Sequence, residues 1–350
     1  MTNRCVLVSG GGGSIGSELC RQIARLNPSS LIVVDQSEFN LYSIEQELQR
    51  SFPDLQLSCR LVNIADEAAV EHLVSYHKPD IIFHAAAYKH VPMLESHVRE
   101  AARNNVLGTK TMAVAADHHG CKSFVLISTD KAVNPANIMG ASKRIAEIYC
   151  QNLNRRSNTD FITVRFGNVL GSAGSVVPLF RQQIEAGGPV TVTHPKMTRY
   201  FMTIPEACQL IMQSGVMGKG GEIYVLDMGG AVSITYLAEQ MILLSGKEPG
   251  KDIEIVYTGL RPGEKLYEEL FHEREQLQGT AHEKIFLANH RELEWDFLDK
   301  TIADMEMACD MYDKAVLLAC IEKLVPELHH THEELPDNIV RFDIDQKKKA

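Results

Sequence analysis

Residues Ser128-Thr129-Asp130-Lys131 place two hydroxyls, a carboxylate and an amine side by side, directly after the apolar run 124–127. A carboxyl group next to an amine is a proton-donor and proton-acceptor pair. Met139 and Lys143 follow on the segment Met139-Gly140-Ala141-Ser142-Lys143. Their four-residue spacing puts both on one face of a helix. Open α/β sheets bind ligands beyond the carboxyl ends of their strands. That position favours a reactive site over an exposed Asp–Lys surface pair, and a site wall over plain core packing for Met139.

The elements that must hold these residues are legible in the pattern. Short apolar runs at 4–9, 31–35, 56–63, 81–86, 123–128 and 161–166 read as strands. Amphipathic stretches at 17–26, 40–50, 67–77, 98–118 and 141–154 read as helices between them. This alternation predicts an α/β fold, a Rossmann-like doubly wound parallel sheet with helices on both faces. Beyond Gly167 the pattern loosens, with Gly-, Ser- and Pro-rich stretches at 171–178 and 187–195. A strand at 222–227 is expected to return to the sheet, and a short one is expected at 254–257. The expected organisation is residues 1–170 plus about 201–232 as a dinucleotide-binding domain. Residues 171–200 plus 233–325 are assigned to a smaller, mainly helical substrate-binding region, and 326–350 to a tail. The tail's His329, His330 and His332 are flanked by Glu333 and Glu334 and read as solvated.

Composition narrows the function classes. The 350 residues suffice for two domains, and 45% hydrophobic with 23% charged residues is ordinary for a globular enzyme. A net charge of −10 argues against a nucleic-acid or anionic-membrane surface, so a phosphate ligand must be held by local groups. The eight Cys show no Cys-x-x-Cys pairing and fall in apolar patterns, which predicts reduced buried thiols and no metal site. A strand begins almost at the N-terminus, so no signal peptide is expected. No apolar run reaches membrane-span length. A cytoplasmic protein is the expectation.

The first strand runs into Gly10-Gly11-Gly12-Gly13-Ser14-Ile15-Gly16 and then a helix. Glycines at 10, 13 and 16 suit a tight turn, close approach to a pyrophosphate and helix–strand packing, with the pyrophosphate at the helix N-terminus. A glycine motif alone can be merely a flexible loop. Here Asp35 ends the next strand about 20 residues on, where it can accept from both ribose hydroxyls and repel a 2′-phosphate. NAD is therefore expected over NADP. Asn63 and Ile64 end the third strand, near the adenine. Ala85, Ala86 and Ala87 end the fourth and let the backbone approach the cofactor. Asn105 either contacts the cofactor or braces the sheet. Lys143 is placed for the nicotinamide ribose.

Taken together, these segments resemble the extended short-chain dehydrogenase/reductase family, and within it the bacterial UDP-N-acetylglucosamine 4,6-dehydratases of polysaccharide and glycan biosynthesis. The likeness is carried by Ser9 to Gly16, His84-Ala85-Ala86-Ala87-Tyr88-Lys89-His90-Val91-Pro92, Ser128 to Pro135 and Met139 to Arg144. It continues with Arg165-Phe166-Gly167-Asn168-Val169-Leu170-Gly171, Thr198-Arg199-Tyr200-Phe201-Met202 and Leu260-Arg261-Pro262-Gly263-Glu264-Lys265, and so covers about residues 4–270. It implies UDP-N-acetylglucosamine as substrate. The family's general Tyr-x-x-x-Lys stands here as Met139-x-x-x-Lys143. The resemblance assigns that change to a branch retaining the C5 configuration, a branch usually preceded by a membrane anchor. A homo-oligomer is expected, at the inner membrane face if the chain is the core of a longer anchored protein.

The implied chemistry removes water across C5 and C6 after C4 is oxidised, because a C4 ketone makes the C5 proton acidic. In that scheme Asp130 donates a proton to the departing C6 hydroxyl. Lys131 takes the C5 proton, as a neutral amine whose pKa is lowered by burial and by Lys143. Thr129 hydrogen-bonds the C4 oxygen, and Asp130 takes the C4 hydroxyl proton through Thr129 or water. Lys89, His90 and Asn168 are placed for the sugar or diphosphate, with Ser175, Val176 and Thr193 as further substrate contacts. Arg199 and Arg261 suit the diphosphate, and Glu264 the uridine ribose. A UDP-sugar 4-epimerase would need the same cofactor site without the Asp130–Lys131 pair. A non-catalytic NAD sensor would not need an intact Lys143 together with the complete set of sugar-diphosphate residues.

Overall fold

A computed structural model describes residues 1–270, 277–288 and 293–328. The tail histidines and Glu333–Glu334 lie outside the described residues. In chain order the first half is β1 (Cys5–Ser9), α1 (Ser14–Ala24), β2 (Ser30–Asp35), α2 (Glu38–Ser51), β3 (Leu57–Leu61), α3 (Glu67–His77), β4 (Ile81–His84), α4 (Val91–Ser96), α5 (Val98–Ala101), a π-helical turn (Ala102–Leu107), α6 (Gly108–His118), β5 (Ser123–Ile127), a 3-10 turn (Asp130–Ala132), α7 (Ile138–Asn154) and β6 (Asp160–Arg165). The second half is β7 (Asn168–Val169), α8 (Val176–Glu185), β8 (Val190–Val192), β9 (Thr198–Arg199), β10 (Phe201–Met202), α9 (Ile204–Met217), β11 (Ile223–Leu226), β12 (Val232–Ser233), α10 (Ile234–Leu244), β13 (Ile255–Tyr257), β14 (Gln278–Gly279), β15 (Ile285–Ala288), α11 (Trp295–Asp310) and α12 (Lys314–Leu324).

Nine strands form the main sheet, in the order β3-β2-β1-β4-β5-β6-β11-β15-β14. The run from β3 to β11 is parallel, and β15 and β14 close the far edge antiparallel. The strands β1, β4 and β5 are apolar along nearly their whole length because helices cover both faces. The strand order reverses between β1 and β4, and that switch point opens a crevice at the strands' carboxyl ends. The Rossmann-like α/β expectation is met, including the return of β11 beside β6.

The substrate-side region divides differently from the expected 233–325. Its separate small core joins Phe180 and Ile184 of α8, Val190 and Val192 of β8, and Ile234, Ala238 and Ile242 of α10. The later part of the segment belongs to the main body instead. There β15 pairs with β11, and Leu298, Ile302 and Met305 of α11, with Leu317 and Ile321 of α12, share the core containing Ile145 and Ile148 of α7. Their apolar stripes find a larger hydrophobic surface there. The helix α8, for which no element is expected, falls mostly between the two Gly-, Ser- and Pro-rich stretches; Val176, Phe180 and Ile184, spaced four apart, give it one apolar face. The single helix read at 98–118 is broken by the π-helical turn, which carries Asn104 and Asn105.

One buried ionic network locks α7 to the sheet. Arg165, the last residue of β6, donates from Nε to Glu147 Oε1 at 2.8 Å and from Nη2 to Oε2 at 2.7 Å. The Ser128 hydroxyl donates to Glu147 Oε1 at 2.6 Å, and Arg144 reaches Oε2 at 3.1 Å. Burial alone would push the Glu147 carboxyl up, but the charges and hydrogen bonds of Arg165, then Arg144 and Ser128, hold it down to about 2. A carboxyl whose folded pKa is depressed stabilises the fold above its unfolded value and loses that contribution as pH falls through the folded value. The Glu147 contribution is thus whole above about 4.5 and lost as pH falls toward 2.

Glu147→Gln would replace the buried carboxylate that faces Arg165 with a neutral amide. Breaking such a pair costs roughly 3–5 kcal/mol, so denaturant melts at pH 7 should show a loss of that size. A loss under about 1 kcal/mol would mean that the network does not anchor α7.

Candidate active site

The glycine loop closes around α1. Gly10 has φ +66°, and a Cβ there would stand 2.7 Å from the Ala86 backbone, so only glycine permits the loops after β1 and β4 to touch. A Cβ at Gly16 would overlap the carbonyl oxygen of Gly10. Gly13 is the extended residue ahead of α1, which starts at Ser14, three residues before the expected 17. The first orphan N–H groups of α1 therefore belong to Ser14, Ile15 and Gly16, and all three line the main cleft with Gly10 and Gly13. Asp35 braces this loop, accepting the Gly12 N–H at 2.9 Å and the Ser37 N–H at 2.9 Å.

The cofactor candidates separate into lining and bracing residues. Ala85 and Ala87 line the cleft, whereas Ala86 abuts Gly10. Asn63 accepts the Ala65 N–H at 3.0 Å and lines a smaller cavity with Gln36, Tyr88, Arg99 and Arg103. The Ile64 side chain is buried in the core and abuts Gly108. Asn105 is wholly buried. It accepts the Tyr88 N–H at 2.8 Å and donates to the Tyr88 carbonyl at 2.9 Å and to Ser142 at 3.0 Å. It braces the loop after β4 against α7.

Sequence reasoning missed a buried histidine behind this loop. Thr109 donates its hydroxyl to the Asn105 carbonyl at 2.7 Å and so accepts from His84 Nε2 at 3.0 Å. His84 Nδ1 then accepts the Ser9 hydroxyl at 2.7 Å. Burial, with the charge of Lys143 adding to it, pushes His84 down to about 3, so the ring is neutral and ties β1 to β4 at the switch point.

The cleft has a volume of about 750 Å³ and brings Thr129, Lys131, Met139, Lys143, Lys89, His90, Asn168 and Ser175 together. Thr129 donates to Asp130 Oδ1 at 2.9 Å, and Lys131 Nζ donates to the same oxygen at 3.0 Å. Asp130 itself is only 1% exposed and meets the cleft through these two neighbours; its Oδ2 is buried without a partner beside Gly167. Met139 and Lys143 share one face of α7, whose N-cap Asn137 accepts the Gly140 N–H at 2.7 Å. Burial pushes Lys143 down to about 8, against the pull of Glu147. Lys89 is also pushed down by burial, and its amine donates to Ser172 at 3.4 Å. Ser175 sits at the N-terminus of α8 with a buried, unpartnered hydroxyl, and Val176 begins that helix.

Two expectations need correction. Lys131 is not a neutral amine. Burial pulls its pKa down, but Asp130 and Glu268 outweigh burial and raise it, and the opposing cation is Arg199 rather than Lys143. Arg199 is not poised for a diphosphate. It donates to the carbonyls of Thr198 at 2.8 Å, Leu266 at 3.2 Å and Lys265 at 2.8 Å, and faces Glu264 at 3.7 Å and Glu268 at 3.6 Å. Its guanidinium is thus held by three carbonyls and compensated by two carboxylates. Glu264 also accepts the Thr193 hydroxyl at 3.5 Å and the Arg261 N–H at 3.1 Å, so Thr193, Arg199 and Glu264 cluster outside the cleft lining, while Arg261 is exposed. Glu268 escaped sequence reasoning because the residues it faces, Lys131 and Arg199, lie far from it along the chain.

Comparison with known proteins agrees with this geometry. The family profile described as "Polysaccharide biosynthesis protein" matches residues 6–290. The "Capsular polysaccharide biosynthesis protein CapD" of Staphylococcus aureus is 51% identical over 288 residues, covering 82% of this chain and 48% of that protein. The chain thus spans about half the length of this relative. The solved structure of Pen from Bacillus thuringiensis superposes with a TM-score of 0.76 at 34% identity, over 82% of this chain and 89% of that one. The dTDP-glucose 4,6-dehydratase DesIV of Streptomyces venezuelae, solved with NAD and DAU bound, shares the fold with a TM-score of 0.67 at 22% identity, over 76% of this chain and 87% of that one.

The contact behind Gly16 gives a test of the cleft. Gly16→Ala forces α1 away from the Gly10 carbonyl, so purified protein should lose its bound dinucleotide while keeping its secondary structure. Nucleotide released by heat and quantified by absorbance checks this; stoichiometry equal to wild type would remove the glycine loop from cofactor binding.

Proposed function

The chain belongs to the polysaccharide biosynthesis protein family, and from that premise we propose that it is an NAD-dependent nucleotide-sugar 4,6-dehydratase. The proposed substrate is UDP-N-acetylglucosamine, and the product its 4-keto-6-deoxy derivative for surface polysaccharide or glycan biosynthesis. One observation carries this reading. Thr129, Asp130 and Lys131 form a continuous proton chain, 2.9 and 3.0 Å in its links, along the wall of a cleft fit for a dinucleotide. A 4-epimerase acts at C4 alone and has no use for a second proton-transfer pair, and a sensor has no use for either.

The cleft residues fit NAD. The orphan N–H groups of α1 suit its diphosphate, Asp35 its adenosine ribose and Lys143 its nicotinamide ribose. When bound, NAD would supply the hydride chemistry, oxidation at C4 and reduction at C6. The remaining steps belong to side chains. Thr129 passes the C4 hydroxyl proton to Asp130, which takes the role Met139 cannot fill. Asp130, now protonated, returns that proton through Thr129 to the departing C6 hydroxyl, since it meets the cleft only through its neighbours. Lys131 removes the C5 proton and later restores it, leaving both groups as they began. Because Lys131 rests as an ammonium, it must first give up a proton, so the base step carries a pH limb. Lys89, His90, Asn168 and Ser175 line the space for sugar and diphosphate, and the exposed Arg261 is the guanidinium placed to close on the diphosphate. We assign Val176, Thr193 and Glu264 to the uridine end, and the apolar Met139 to a branch that retains the C5 configuration.

Incubating the protein with UDP-N-acetylglucosamine in heavy water tests the reading. Product NMR should show a 4-keto-6-deoxy sugar with deuterium at C5 and unchanged C5 configuration, without added oxidant. A C4 epimer would establish the epimerase instead, and inverted C5 would remove the branch assignment alone.

The two unusual residues should part company on mutation. Met139→Leu conserves volume and should stay active. Asp130→Asn keeps the shape but cannot carry a proton, and should lose roughly 10²–10⁴-fold in kcat. An active Asp130→Asn beside an inactive Met139→Leu would overturn the division of roles.

A further inference from the structure

We propose that Glu268 is a positioning residue for Lys131, holding its amine in a cradle and governing whether it keeps its proton. This rests on the dehydratase reading of the same site. An ammonium has three N–H donors, and Lys131 Nζ faces three acceptors: Asp130 Oδ1 at 3.0 Å, Asn168 Oδ1 at 3.4 Å and Glu268 Oε1 at 3.4 Å. They come from the 3-10 turn after β5, from β7 and from the segment beyond Gly263. While this cradle keeps it an ammonium, Lys131 has no lone pair to offer a C5 proton. Glu268 is the charged member of this cradle that the proton chain through Thr129 does not use.

Glu268 is itself held in place. The same Oε1 faces Arg199 Nε at 3.6 Å, and the carbonyls of Thr198, Lys265 and Leu266 fix that guanidinium. The Glu268 side chain is 5% exposed, so water screens the pair poorly. The segment carrying it is pinned to the α7 N-terminus, where Asn137 donates to the Gly263 carbonyl at 2.9 Å, and to the loop before α7, where Asn134 donates to Glu269 at 2.6 Å. The charged groups that bear on Lys131 are therefore Asp130 beside it, with Glu268 and Arg199 across from it. Two carboxylates favour the ammonium and Arg199 opposes it. Removing Glu268 leaves Asp130 alone against Arg199.

The experiment compares pH–rate profiles of the NAD-loaded wild type, Glu268→Gln, Glu268→Asp and Lys131→Ala on UDP-N-acetylglucosamine, with an NMR titration of the Lys131 ε-carbon. Lys131→Ala should erase one limb, which identifies it. In Glu268→Gln that limb and the NMR titration should both move to a pH lower by roughly 1–3, the usual effect of losing an adjacent opposite charge. On the acid side the variant should then exceed wild type, by up to about tenfold if the limb moves by one on the pH scale. Glu268→Asp keeps the charge and should leave the limb near wild type; a purely structural role would make Asp and Gln behave alike. An unmoved limb and titration in folded Glu268→Gln overturn the inference and leave the dehydratase standing. A displaced limb on which rate falls with pH upholds Glu268 and removes Lys131 as base. Absence of any 4-keto product from wild type sinks the dehydratase reading, and the NMR titration still decides for or against the Glu268–Lys131 coupling.

Discussion

The pairing of Glu147 with Arg165 is the constraint on which the site depends. Both are buried, and each would be costly alone in that environment. The bidentate contact fixes the distance between α7 and the end of β6, and the Ser128 hydroxyl adds the end of β5 to the same carboxylate. Thr129, Asp130 and Lys131 follow Ser128 directly, and Lys143 lies one helical turn before Glu147 on α7. A single carboxylate therefore sets the two halves of the cleft wall against each other. Its burial also explains why α7 is covered on every side, with α11 and α12 supplying the outer layer.

Much of this is legible in the sequence because it is written in periodicity. Alternating apolar runs specify the parallel sheet, and α3 is legible to the residue because Asp66 caps it and His77 ends it. The glycine loop announces its place by strand, loop and helix in succession. What stays hidden depends on partners far apart in the chain. Helix α8 sits among Gly, Ser and Pro, and only packing against β8 and α10 shows that Val176, Phe180 and Ile184 form a face. The last 30 or so described residues read as helical, but nothing local says which core they join.

The site divides along the same line. The residue types at 128–131 and 139–143 are enough to find the cleft, because their chemistry is local. The protonation of Lys131 and the engagement of Arg199 are not legible, because both depend on the segment 264–268, far along the chain, whose Glu268 faces both and whose carbonyls hold Arg199. A lone Arg in a motif invites a phosphate; an Arg already hydrogen-bonded to several carbonyls is a strut. Asn105 and His84 make the same point. Their polar groups serve the backbone and hydroxyls that shape the cleft, and their complete burial keeps them from the ligand.

Charge within the cleft accounts for how an acidic chain can hold a phosphate-rich ligand. Lys131 is compensated by Asp130 and Glu268, whereas the Lys89 and Lys143 amines face the cleft and are pushed down by burial. A buried amine bears the cost of desolvation until an anion arrives, and that arrival favours its charged form. Diphosphate binding and protonation of these two lysines are therefore linked in one direction: each promotes the other. The net charge of −10 is irrelevant at this range, because the cleft wall screens little and the amines are nearest. Ligand binding thus completes the electrostatics of the cleft, with Lys131 already balanced and its proton held by groups the ligand does not displace.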